Sequence, residues 1–118
     1  MRIDRVEIET VVVLRVTGEI DFRDTNDLLG ELRTLSDAGH RQVLINLSAC
    51  TGMVSSAIGV LVGWRCECSL QGGDFWVLSP SKEVRDIFDM VGVTEQLVRP
   101  EETEGDAGRA LRSEHAGG

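Results

Sequence analysis

Polar and apolar positions change period several times along the chain, and each change marks an element. In "VEIETVVVLRVTGEI" Val6, Ile8 and Thr10 alternate with Glu7 and Glu9, and then Val11, Val12, Val13 and Leu14 run together. Alternation suits a strand with one wet face, and a β-branched run suits a buried strand. The pattern predicts an edge strand near 3–8 and a buried strand over 11–17, ended by Gly18. In "DFRDTNDLLGELRTLSDAG" the period lengthens. Leu28, Leu32 and Leu35 recur at helical spacing, acidic residues crowd the start, and Gly39 stands at the stop, which predicts a helix over 24–38.

"RQVLINLSAC" returns to strand chemistry through Val43, Leu44, Ile45 and Leu47. "SSAIGVLVGWRCECSL" predicts a helix over 55–70. Gly59 and Gly63 share one face of it, and each costs about 1 kcal/mol of helix propensity relative to Ala. The expected return is a helix lying close to a sheet, with Trp64 at the edge of the core. "FWVLS" reads as a strand stopped by Pro80. "SKEVRDIFDMVG" predicts a helix capped by Ser81, striped by Val84, Ile87, Phe88 and Val91, and ended by Gly92. "TEQLVRP" predicts a last short strand. The order β-β-α-β-α-β-α-β defines an α/β fold: one domain over 1–100, with a mostly parallel sheet of about five strands packed with helices. The remainder, "EETEGDAGRALRSEHAGG", has little to bury besides Ala and Leu111. It is expected to be an acidic, disordered tail over 101–118 with at most a short helical piece near 106–114.

Composition removes several classes of function. A net charge of −8 repels phosphate backbones, so no nucleic acid is expected as a partner. No apolar run approaches the ~20 residues that cross a bilayer, and "MRIDRVEIET" lacks a secretory apolar core; a cytoplasmic protein without membrane insertion is expected. Cys50, Cys66 and Cys68 are an odd set with a C-x-C pair, which suits reduced thiols better than a metal or disulfide framework. Gly72-Gly73 precede a strand, the wrong order for a nucleotide loop, and there is no G-K-[ST]. His40 and His115 are isolated. Ser55 does not sit in a G-x-S-x-G elbow and has no evident base, so a hydrolase finds no support. No catalytic residue, cofactor or metal is expected, and the chain reads as a binding module and not an enzyme.

"VVVLRVTGEIDF", "RQVLINLSACTGMVSSAIGVLV" and "GGDFWVLSPSKEVRDIFDMVGV", together with the element order, resemble the STAS domain and most closely the anti-sigma factor antagonists of bacteria. The resemblance spans about residues 4–98. It implies a protein that binds an anti-sigma factor/serine kinase, releases a sigma factor, and is switched by phosphorylation at the start of the second helix. The family motif there, Asp-Ser-[Ser/Thr]-Gly-[Leu]-Gly, aligns with Val54-Ser55-Ser56-Ala57-Ile58-Gly59. Ser55 falls on the phosphoacceptor, Ser56 on the second hydroxyl and Gly59 on the later glycine; Val54 and Ala57 depart from the motif. The implied partner-binding set is Asp21, Ser55, Ser56, Ala57 and Gly59, with phosphorylation at Ser55 in preference to Ser56. Any homodimer is expected to be weak. The alternative is a phosphorylation-independent STAS scaffold in a regulatory or transport assembly, which Val54 and Ala57 favour. Valine offers no cap acceptor, so one of the two serines is expected to take the N-cap. If Ser55 does, its oxygen is engaged and phosphorylation is slow.

Overall fold

The computed structural model describes residues 1–101 and 103–116, the last two by their backbone alone. The elements are β1 (Arg2–Ile8), β2 (Val11–Ile20), α1 (Asp24–Asp37), β3 (Gln42–Met53), α2 (Ser55–Leu70), β4 (Asp74–Leu78), α3 (Lys82–Val91), α4 (Thr94–Leu97) and α5 (Glu104–Ala116). The four strands lie in sequence order. A tight turn at Glu9-Thr10 makes β1 and β2 antiparallel, and the crossovers through α1 and α2 make β2, β3 and β4 parallel. The α/β class and the mostly parallel sheet are as the sequence pattern predicts.

The predicted fifth strand is absent among the described residues. Thr94–Leu97 closes as one helical turn, and only Val98 reaches the sheet, as a single parallel bridge to Val77. The Arg99 N–H donates to the Val77 carbonyl at 2.9 Å, and Pro100, next in the chain, has no N–H to extend the ladder. Gly18 does not end β2 either. It takes φ +90°, and the β2–β3 register shifts beside it, so the glycine permits a bulge and the strand runs on to Ile20. That extension carries Ile20 into the core and brings the ends of β2 and β3 side by side.

The sheet's pleat divides its apolar residues between two faces. Val12, Leu14, Val16, Val43, Ile45, Leu47, Phe75 and Val77 meet α1, α2 and α3 in the main core. Val11, Val13, Leu44 and Leu78 form a smaller cluster on the other face with Ala107 and Leu111 of α5. Over Glu104–Ala116 the expected disordered tail is instead a helix, while residues 102, 117 and 118 of that expectation lie outside the described residues. Thr103 caps α5 by accepting from the Asp106 N–H at 3.1 Å, and Leu111 is fully buried. Glu104 accepts from Arg15 at 2.6 Å and from Asn46 at 2.9 Å, and Arg99 reaches Glu101 at 2.6 Å and Glu114 at 3.1 Å. Gln42 donates to the Leu111 carbonyl at 3.2 Å. A helix with few apolar residues can dock this way because Ala107 and Leu111 land on the sheet and several of its charges find partners on the sheet and its loops.

Gly59 and Gly63 correct another expectation. Ala57, Ile58, Leu61 and Trp64 are the buried residues of α2, and both glycines lie on its exposed side. A Cβ at either would meet nothing within 4 Å. The larger apolar side chains claim the sheet-facing side, which leaves the glycine face to solvent. Trp64, 8% exposed, sits at the core edge as predicted.

Candidate functional site

The site lies where β2 and β3 hand over to α1 and α2. In parallel strands joined by crossovers these turns gather at the same end of the sheet. The Val54 N–H donates to the Ile20 carbonyl at 3.1 Å, which locks the two turns together. A second tie links the helices: Thr25 Oγ1 and Ser56 Oγ share a hydrogen bond at 3.1 Å, and Thr25 also donates to the Asp21 carbonyl at 3.2 Å.

The expectation that a serine caps α2 is not met. The N-cap residue is Val54, in extended conformation, with no side-chain cap hydrogen bond. Ser55 is the first helical residue and is exposed. The cap bond needs a side-chain acceptor at the N-cap itself, and Ser55 lies one position past it. The premise for a blocked Ser55 oxygen therefore falls. The contrast within the chain is direct: Ser81, the N-cap of α3, accepts from the Val84 N–H at 3.2 Å and donates to the Cys50 carbonyl at 2.6 Å. Its hydroxyl is consumed by the fold.

Asp21 is exposed and does structural work. Its Oδ1 accepts from the Arg23 N–H at 2.9 Å and the Asp24 N–H at 3.0 Å, while the Asp21 N–H donates to Asp24 Oδ2 at 2.9 Å. The Asp24 backbone bond, the largest influence, outweighs partial burial and, with smaller help from the Asp24 side chain and the Arg23 N–H, holds the Asp21 carboxyl below the usual aspartate range. Ser56 and Gly59 are exposed on the same end of α2 as Ser55. Ala57 is not available: it is 0% exposed, inside the main core, and its methyl lets α2 settle on the sheet. The structure thus gathers Asp21, Ser55, Ser56 and Gly59 and withdraws Ala57.

Two residues of this end escaped the sequence reading. Thr25 is the buried link to Ser56, and nothing in its local sequence marks it. Phe22 is 78% exposed. A signal for it did exist: it lies outside the Leu28, Leu32, Leu35 stripe and directly follows the turn acid Asp21.

Catalytic alternatives stay apart. His40 precedes β3 and Ser55 follows it, so the 12 residues of that strand separate them; His40 instead accepts from Arg5 Nη2 at 2.7 Å. The side chain of His115 lies outside those described. Among the described residues no three His, Cys, Asp or Glu side chains converge as metal ligands, and no helix is long and apolar enough to cross a membrane. Cys50 is buried and Cys68 half-buried, and burial pushes both thiols up.

A four-stranded mixed sheet flanked by crossover helices has clear counterparts. The sequence matches the STAS domain family model over residues 2–107, and the chain belongs to the STAS domain family. Its fold is similar to that of an anti-sigma factor antagonist from Mycobacterium paratuberculosis, at TM-score 0.80 and 21% identity, covering 94% of this chain and 93% of that one. It is also similar to the anti-sigma factor antagonist SpoIIAA in its unphosphorylated form, at TM-score 0.74 and 22% identity over 94% of this chain and 98% of that one. The phosphorylated form of SpoIIAA, from Bacillus, matches at TM-score 0.73 and 22% identity over 93% and 99%.

Proposed function

We propose that this chain is an anti-sigma factor antagonist: it binds an anti-sigma factor/serine kinase through the end of the sheet bearing Asp21, Ser55, Ser56 and Gly59, and so frees a sigma factor. The observation that carries the reading is the Ser55 hydroxyl, exposed at the first position of α2 and excused from capping by Val54. A kinase would move the γ-phosphoryl group of ATP to Ser55 Oγ, with ADP leaving and the hydroxyl proton lost. The product adds about −1.5 to −2 charge on the end of the sheet that already carries the exposed carboxylate of Asp21. Unpaired N–H groups at a helix start tolerate an anion, so α2 need not unfold. A partner surface that accepted the neutral hydroxyl would instead meet a dianion, and the complex would come apart. A cytoplasmic setting follows from such partners.

The departures at Val54 and Ala57 favour a second reading, a scaffold of the same fold whose binding ignores phosphorylation. Ala57 weighs little here, because it faces the core. One experiment separates the two. The purified chain is incubated with the anti-sigma factor kinases of its source bacterium and ATP, and Ser55 is followed by mass spectrometry alongside complex formation. Modification of Ser55 with loss of the complex supports the antagonist. A complex that persists in ATP with unmodified Ser55 supports the scaffold. Binding to none of the kinases overturns the antagonist.

A further inference from the structure

We infer that Phe22 is the anchor of the Ser55 face, and that it inserts into an apolar pocket rimmed by basic side chains on the anti-sigma factor/kinase. The inference rests on the binding role proposed above and adds to it the residue that carries the affinity and the chemistry of the surface that receives it.

The chain has five aromatic residues. Phe75 and Phe88 are fully buried, Trp64 is 8% exposed, and Trp76 is half-buried over the second face. Phe22 alone stands in solvent, at 78% exposure. Single exposed apolar side chains are common, and Leu70 and Met90 are exposed elsewhere; Phe22 is set apart by being aromatic and by following Asp21 in the turn that is bonded to the α2 start. Aromatic side chains are enriched at the buried centres of protein interfaces and are common among residues that dominate affinity.

Phe22 is also presented on a stiff support. Three bonds between Asp21, Arg23 and Asp24 and a fourth from Thr25 to the Asp21 carbonyl bracket it. Little backbone freedom remains to be lost when it docks, and that is how pre-organisation raises affinity. The support joins the α2 start through the Ile20–Val54 and Thr25–Ser56 bonds, so Phe22 and Ser55 belong to one rigid surface.

The surroundings specify the occupant. Glu19, Asp21 and Asp27 are exposed around the turn, Asp24 is partly so and faces the Met1 ammonium at 3.8 Å, and Arg23 is the single cation among residues 19–27. With a chain charge of −8, an acidic ring about an apolar tip is complementary to an apolar pocket with a basic rim. A phosphate on Ser55 would then be read by a partner already docked through Phe22.

The test uses the full chain and the purified anti-sigma factor kinases of the source bacterium, titrated by calorimetry without ATP. Native, Phe22→Ala, Phe22→Trp and Ser55→Asp proteins are compared, with melting temperatures measured in parallel. The expected result is that Phe22→Ala loses at least about tenfold in affinity at an unchanged melting temperature. Phe22→Trp should stay within a few-fold of native, and native affinity should fall as salt is raised. If Ser55→Asp abolishes binding while Phe22→Ala binds within about twofold of native, the anchor is refuted and the binding role stands. If affinity does not respond to salt, the basic rim is refuted. If no kinase binds the native chain, the binding role fails and the anchor fails with it.

Discussion

At the start of α2 the Ser55 hydroxyl has no cap bond, Gly59 fills no gap and Phe22 packs against little of the fold. On α5 the opposite holds. Glu104 and Glu114 bind Arg15 and Arg99, Arg112 pairs with Glu9, Thr103 caps the helix, and Ala107 and Leu111 are buried. Composition points the other way, since the segment around Ser55 is the more apolar and α5 looks like a solvated tail. A side chain's work depends on what the fold places opposite it. Polar groups with partners hold structure, and groups left without partners at an exposed, rigid edge are free for recognition.

The comparison breaks most visibly at Leu111. Leu111→Ala should cost about 2–5 kcal/mol, the range for emptying a buried leucine site, read as a lowered urea midpoint. An unchanged midpoint would mean that α5 does not cover the sheet and that its charges make no structural contribution.

Acid should act next, and on the same region. The Arg15 guanidinium holds the Glu104 carboxyl below the ordinary glutamate range, and Arg99 does the same for Glu101. Groups lowered on folding contribute stability that is fully present above the unfolded glutamate pKa, about 4.3. It is lost as pH falls through their lowered values. Release of α5 is therefore expected below about pH 4, seen as a change in Trp76 fluorescence, since Trp76 borders that cluster. Glu104→Gln should shrink the pH-dependent step. A step of the same size in that variant would place the acid-sensitive group elsewhere.

At the other region the signs reverse. Gly59→Ala should raise stability by about 1 kcal/mol, because alanine is the better helix former and its methyl meets open space. Under the proposed binding role the same change should weaken kinase binding by filling that face. Loss of stability on thermal denaturation would reveal an intramolecular role for the glycine that the fold does not display.

Ser55→Ala should be the smallest perturbation of the fold, within about 0.5 kcal/mol, and should remove phosphate incorporation by the kinase. A loss near 1 kcal/mol, typical of an N-cap, would show that Ser55 caps α2 in solution and would erase its contrast with Ser81.

The sequence by itself determined the strand–helix alternation, the bounds of most elements, the Ser81 cap and the STAS family. The first three follow from side-chain period and from turn chemistry within a few residues, and both are local; the family follows from the resemblance of longer stretches. It also marked Asp21, Ser55, Ser56 and Gly59 by motif. Tertiary structure decided the rest. Whether Gly18 ends a strand or bulges depends on the neighbouring strand. Whether Gly59 or Ala57 faces the sheet depends on which side of α2 presents more apolar area to it. Leu111 and Glu104 could not be read as anchors, because Val13, Leu44, Arg15 and Asn46, which receive them, lie far away in the chain. The Ser55 hydroxyl is free because the N-cap falls on Val54 and not on a serine. That placement is set by the bond from Val54 to Ile20 on the adjacent strand, a contact between segments that no local pattern encodes.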